Sequence, residues 1–396
     1  MRESLFSPLW YRVAEQHPHL RAEVRVQRQE VRDQRWYLLV NAANGRQYRV
    51  NHKAYQFIGR CDGQRSVQQV WDDLLDQLRD DAPTQDEVIQ TLNQLDQQDL
   101  LVYEAAPDAK AMVRRRDERT RKRVQGFVNP FALRIPLGDP SAWLSRLDPL
   151  ATLLFTKVML CAWIAAMAVA LAVAASHWDV LSAHAIQQMT TPRYLFLAWL
   201  AFPLIKALHE LGHALAVRRW GGTVPEVGFS LFVLVPAPYV DASSSVAFRY
   251  RYQRLVVGAA GLMIELGIAA LALAVWLNVQ PGLVSDLAFV TLFIASVSTL
   301  VFNGNPLAPF DAYFIFCDAL DLPNLGPRSK AWWTSATLRV MHGNAAPPRM
   351  ALSGGEGKWL FLYAPLSLAY RVTIAFVLVL WLGAHSAALG VVGAIA

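Results

Sequence analysis

The residues whose types and spacing could do chemistry are His209, Glu210 and His213, in the run Leu208-His-Glu-Leu-Gly-His-Ala214. Four positions apart on a helix is one turn along the same face, so His209 and His213 can offer two imidazoles to one metal ion. That is the ligand spacing of a zinc-binding helix. The Glu beside the first His is not needed as a ligand, which leaves its carboxylate free to take a proton from a water activated by the metal. Zinc lowers the pKa of such a water from roughly 16 to about 7, so the chemistry implied is metal-assisted hydrolysis at neutral pH. In a soluble helix the same pattern could be two surface histidines near a glutamate. Here it lies in an apolar stretch, Tyr194 to Val217, long enough to cross a bilayer, where two His and a Glu are costly unless they form a site.

Two histidines leave a catalytic zinc one protein ligand short. A carboxylate at the same-side end of another span would complete it. Asn303-Gly-Asn-Pro306-Leu-Ala-Pro-Phe-Asp311 ends one such span, which makes Asp311 the expected third ligand, with Asp241 the next candidate. Asn303 and Asn305 of the same segment are expected in supporting or substrate-binding roles. Glu265 is an acidic residue in the apolar run Leu255 to Leu277 and needs a partner there. Lys206, one turn before Glu210 on the same helix face, is the natural one.

These residues must be positioned by a membrane protein. The chain has 396 residues, 54% of them hydrophobic, with 37 Lys and Arg against 31 Asp and Glu, and the charge is concentrated in the first 125 or so. Apolar spans are expected at Val158 to Ala175, Tyr194 to Val217, Leu255 to Leu277, Leu287 to Phe302 and Trp359 to Leu382. The connections Ser176 to Pro192 and Asn278 to Asp286 lack Lys and Arg. Arg218, Arg219, Arg249, Arg251 and Arg254 fill one intervening loop, and Arg328, Lys330, Arg339 and Arg349 another, so the basic loops are expected on the cytoplasmic side. Met1 to Tyr11 has no signal-peptide pattern, which predicts a cytoplasmic amino-terminal domain in a protein of the cytoplasmic membrane. Cys61, Cys161 and Cys317 suggest neither a disulfide framework nor a Cys-x-x-Cys site.

Residues 1–105 read as a small α+β, winged-helix-like domain. Glu23 to Val26, Trp36 to Val40 and Tyr48 to Val50 are expected strands, the last two joined by an Asn44-Gly45 turn. Ser66 with Gln69 and Thr84 with Glu87 are capping boxes that open two amphipathic helices. Residues 106–148 read as a basic linker and an interfacial helix with Trp143 at the headgroups. The cluster Arg114 to Arg123 is read as topological rather than nucleic-acid-binding, because it precedes a span. Val227 to Tyr239 is apolar but too short and Pro-rich to cross, and is expected as a re-entrant β element whose edge could hold an extended substrate.

Two resemblances follow from these residues. The stretch Tyr55 to Val67, the helix after it and Leu95-Asp-Gln-Gln-Asp-Leu-Leu101 resemble the PqqD family of peptide-binding domains, which implies capture of a leader peptide. Asn303, Pro306 and Asp311, paired in order with His209-Glu210-x-x-His213, resemble the site-2 protease family of intramembrane zinc proteases. The whole chain looks like its peptide zinc metalloprotease branch, often associated with HlyD-like export adaptors. Two departures stand out: Ala312 follows Asp311 where that family usually has Gly, and its Gly-Pro-x-x-Asn motif runs here Gly261-Leu-Met-Ile-Glu265. The resemblance implies that Glu265, at the Asn position, holds substrate backbone near the metal.

The expectation is therefore a mainly α, polytopic helical membrane protein: residues 149–396 form an intramembrane Zn2+ endopeptidase, preceded by the cytoplasmic domain that recruits a membrane-associated or exported peptide. Its expected partners are that peptide or membrane-protein substrate, membrane lipid and an export adaptor, with no nucleic acid. The alternatives are a non-proteolytic component of a peptide export or maturation complex and a protease cutting a membrane-bound transcription regulator.

Overall fold

The computed structural model describes residues 6–31, 34–41, 47–79, 82–103, 132–232, 235–342 and 355–385. It divides into two compact units, Met1–Ser141 with Gly222–Pro236 and Asp241–Arg249, and Ala142–Gly221 with Ala237–Val240 and Tyr250–Ala396.

The first unit opens with β1 (Pro18–Leu20), β2 (Val24–Val31), β3 (Gln34–Asn41), β4 (Gln47–Asn51), α1 (His52–Ile58), α2 (Val67–Leu78), α3 (Gln85–Gln97) and β5 (Leu101–Tyr103). β2, β3 and β4 form an antiparallel meander that sets Leu39 opposite Val26 on one side and Tyr48 on the other. β1 pairs with β5. Both capping boxes form as the sequence predicts: the Ser66 hydroxyl accepts from the Gln69 N–H and the Thr84 hydroxyl from the Glu87 N–H, each at 3.2 Å. Such caps satisfy donors that a helix start leaves unpaired. Phe57, Trp71, Leu74, Val88, Leu92 and Leu95 bury their side chains with Leu39 and Leu100 in one core. Helix α1 was not expected; the Asn51 side chain caps it at 2.8 Å from the Ala54 N–H, directly after β4. The Asn44-Gly45 turn and the Arg114 to Arg123 cluster lie outside the described residues.

Part of the expected linker is a strand. β6 (Ala132–Gly138) pairs antiparallel with β7 (Val227–Phe232), Ile135 facing Phe229, and β8 (Val235–Val240) completes a sheet of order β6-β7-β8. The alternation Leu133, Ile135, Leu137 carried this signal, but its partner strand lies far along the chain. The expected β character of Val227 to Tyr239 is present. A one-turn helix, Ser141–Leu144, with exposed Trp143 stands where the interfacial helix was expected.

The second unit is helical: α4 (Asp148–Leu154), α5 (Lys157–Ser176), α6 (Trp178–Gln188), α7 (Pro192–Arg219), α8 (Arg251–Asn278), α9 (Leu283–Phe293), α10 (Asp311–Ala319), α11 (Leu325–His342) and α12 (Glu356–His385). A π-helical stretch, Ile294–Asn303, continues α9. Among the described residues five segments are long and apolar enough to cross a membrane: α5, α7, α8, α9 with its π stretch, and Glu356–Val377 of α12. They match the expected spans to within a few residues. The connection Ser176 to Pro192 holds α6. Val158, Val169 and Leu171 of α5 stay exposed, which suits lipid rather than water.

Helices α7 and α8 approach closely because Gly212 has no side chain. A Cβ there would stand 2.8 Å from Ile264 Cδ1 and 3.0 Å from the Ala260 carbonyl. Small residues at such contacts allow backbone approach in membranes, where no hydrophobic force drives helices together. The Arg218 guanidinium holds Asp148 through two hydrogen bonds, of 2.9 and 2.6 Å, tying the end of α7 to the start of α4.

Candidate metal centre

Helix α7 presents His209 and His213 from one face, and both side chains are buried. Their Nε2 atoms are 3.0 Å apart. Asp311, the first residue of α10, places Oδ2 at 2.9 Å from His209 Nε2 and Oδ1 at 3.5 Å from His213 Nε2. Among the described residues these three form a His-His-Asp group with ligand atoms all within 4.8 Å of one another.

The donor set fits zinc. Four-coordinate zinc with bonds of about 2.0 to 2.2 Å holds neighbouring ligand atoms roughly 3.3 Å apart, against the 2.9 to 3.5 Å between the carboxylate oxygens and Nε2 atoms here. Among the described residues Asp311 Oδ2 is buried without a hydrogen bond, although His209 Nε2 lies 2.9 Å away. A buried carboxylate oxygen without a donor is unfavourable, and a cation would satisfy it together with the facing ring nitrogens.

Backbone groups orient the rest. His213 Nδ1 lies 2.7 Å from the Val257 carbonyl of α8, which puts a proton on Nδ1 and turns the Nε2 lone pair to the centre. Glu210 Oε2 accepts from the Val240 N–H at 3.1 Å. Gly261 of α8 supplies clearance: a Cβ there would fall 2.4 Å from His209 Nε2 and 2.5 Å from His213 Nε2. Gly261→Ala must displace the rings by about 1 Å to reach ordinary contact. The variant is expected to be produced at wild-type yield while its zinc content, read by atomic absorption, falls severalfold; full zinc loading would place the metal elsewhere.

Asp311 is delivered by a break in the helix. Pro306 ends the π stretch, and freed carbonyls at membrane depth need donors. α12 supplies them from one face: the Tyr370 hydroxyl donates to the Val301 carbonyl at 3.0 Å, Tyr363 to Pro306 at 3.1 Å and Ser367 to Leu307 at 2.7 Å. The far end of α10 is pinned by Arg254 of α8, 3.0 Å from Asp318. None of these partners was expected.

Lys206 and Glu265 pair as the sequence predicts, with Lys206 Nζ 2.5 Å from Glu265 Oε1. Glu265 also has a neighbour that was not expected: His209 Nδ1, 3.2 Å from the same oxygen. Its other oxygen accepts from the Thr299 hydroxyl and, at 3.4 Å, from the Asn303 amide. Asn303 therefore supports Glu265. Asn305 instead closes its own turn, its Oδ1 accepting from the Leu307 N–H at 2.9 Å. Asp241 does the same toward the Ser243 N–H in the first unit.

Residues 37–101 match the family described as "Coenzyme PQQ synthesis protein D (PqqD)". Among curated proteins, the "Putative peptide zinc metalloprotease protein YydH" of Bacillus subtilis (strain 168) is 29% identical over 136 residues, which cover 34% of this chain. The match spans about half, 52%, of that relative's length. No solved structure matches. The class these findings support is a membrane-type helical protein with a PqqD domain near its amino terminus and a distant likeness to a peptide zinc metalloprotease.

Proposed function

We propose that the second unit is a site-2-protease-type zinc endopeptidase, with His209, His213 and Asp311 as metal ligands and Glu210 as general base. The observation that carries this reading is the meeting of two buried histidines and a half-buried aspartate from two separate elements beside Glu210 on an apolar helix. Bound zinc would acidify a water and polarise the scissile carbonyl. Glu210, held by the Val240 N–H, is placed to take a proton from an attacking water and to return it to the leaving amine. Gly261 keeps the space in front of the rings open. The substrate in this reading is a membrane-associated or exported peptide, and the protein sits in the cytoplasmic membrane with its PqqD domain on the cytoplasmic side.

Zinc analysis of the purified chain, with mass-spectrometric mapping of products from a co-expressed peptide, tests the proposal. The expected result is about one zinc per chain and a single cleavage site whose product disappears in Glu210→Gln. Intact peptide with the zinc-loaded wild type would instead support a non-proteolytic maturation component.

The PqqD domain is assigned to recruitment, which raises effective substrate concentration without touching the chemistry. Deleting residues 1–105 is expected to leave zinc content unchanged while cleavage of the native peptide at low concentration falls by about 10²-fold, the lower end of avidity gains. Equal efficiency with and without the domain would refute recruitment.

A further inference from the structure

We infer that Glu265, held by Lys206, Thr299 and Asn303, is the positioning carboxylate of the metal centre: it fixes the ring of His209 from behind and strengthens it as a ligand. The inference rests on the metal-centre reading above. Glu265 is 0% exposed in the middle of a span, where a carboxylate must have its charge and lone pairs met. Oε1 faces Lys206 Nζ at 2.5 Å and His209 Nδ1 at 3.2 Å. Oε2 takes the Thr299 hydroxyl and the Asn303 amide.

This arrangement separates three roles. A plain ion pair would be complete with Lys206 and would give no reason for the carboxylate to reach a ligand ring. A substrate-holding group needs an oxygen to spare, whereas both oxygens of Glu265 are engaged by described residues. A positioning group needs the geometry found here. With His209 Nε2 turned toward His213 and Asp311, Nδ1 is the atom left to carry the proton. The approach at 3.2 Å lies off the line of an ideal hydrogen bond, so the attraction is that of a carboxylate for the positive N–H end of a neutral imidazole. A carboxylate behind a ligating histidine fixes its tautomer and raises its basicity, and losing such a partner costs about 10- to 100-fold in metal affinity or activity.

The two histidines are then held unequally, His213 by the neutral Val257 carbonyl and His209 by a carboxylate. Lys206 cancels the added charge within the apolar segment. Thr299 and Asn303 sit four apart on the π-helical stretch and reach the same oxygen. Local π-helix is frequent at functional sites.

The test uses the full chain in detergent, stripped and reloaded with Zn2+ or Co2+ alone. Zinc affinity is read by chelator competition, and ligand geometry by the visible absorption of the Co2+ form. Glu265→Gln/Lys206→Met keeps the charge balance and is expected to elute like wild type yet bind zinc about 10- to 100-fold more weakly, with an altered Co2+ spectrum. Thr299→Val, which leaves both charges in place, is expected to weaken zinc by a smaller factor. Wild-type affinity and spectrum in the double variant would overturn the inference in favour of a structural ion pair. Should that variant not fold, unchanged affinity and spectrum in Thr299→Val would overturn it equally. Wild-type protein that holds no zinc would remove the metal-centre reading and this one with it, whereas zinc-loaded wild type with indifferent variants would remove this one alone.

Discussion

Replacing Glu210 by Gln is expected to leave a folded, zinc-loaded protein whose peptide hydrolysis is slower by about 10²-fold or more, the loss typical of removing a general base. The substitution keeps the side-chain shape, and the amide oxygen can still accept from the Val240 N–H that holds Glu210 at 3.1 Å. His209 and His213 keep their own supports, Glu265 at 3.2 Å and the Val257 carbonyl at 2.7 Å. What is lost is a group able to take and return a proton. The measurement is product formation by mass spectrometry beside zinc stoichiometry on the same sample. Wild-type cleavage would rule out Glu210 as base, and loss of zinc along with activity would show that the residue acts on the metal instead.

Asp311→Ala is expected to have the opposite signature, with zinc occupancy falling to background after dialysis and activity falling because of it. The change removes the only carboxylate within the His-His-Asp group and leaves two ring nitrogens facing each other at 3.0 Å. Deleting a ligand should exceed the 10- to 100-fold cost of losing a partner behind one. The fold should survive, because α10 is also anchored by Arg254 to Asp318 at 3.0 Å and the preceding loop by α12. Unchanged yield and elution would establish that the fold is intact. Zinc content equal to wild type would move the third ligand to another residue.

Much of this protein is determined by local sequence. The five apolar spans are set by length and hydropathy, since only a helix satisfies every backbone group within its own segment in lipid. The capping boxes at Ser66 and Thr84, and the shared face of His209 and His213, depend on spacings of three and four residues, which a helix converts directly into proximity. Asp311 was legible as a candidate because it follows a span end. The pairing of Lys206 with Glu265 was legible because burial of one charge demands another.

Tertiary structure alone decided the rest, because each case joins residues with no local relation. Gly261 gains its role from two imidazoles on a different helix. Glu265 turned out to reach His209 as well as Lys206, and Asn303 to donate to Glu265, because α7, α8 and the π stretch bring these side chains to one point. β6, placed in a linker by its surroundings, became a strand when β7 supplied its hydrogen bonds. A strand, a clearance glycine and a buried carboxylate each take their meaning from what packs against them, and the partner's position is a property of the folded chain.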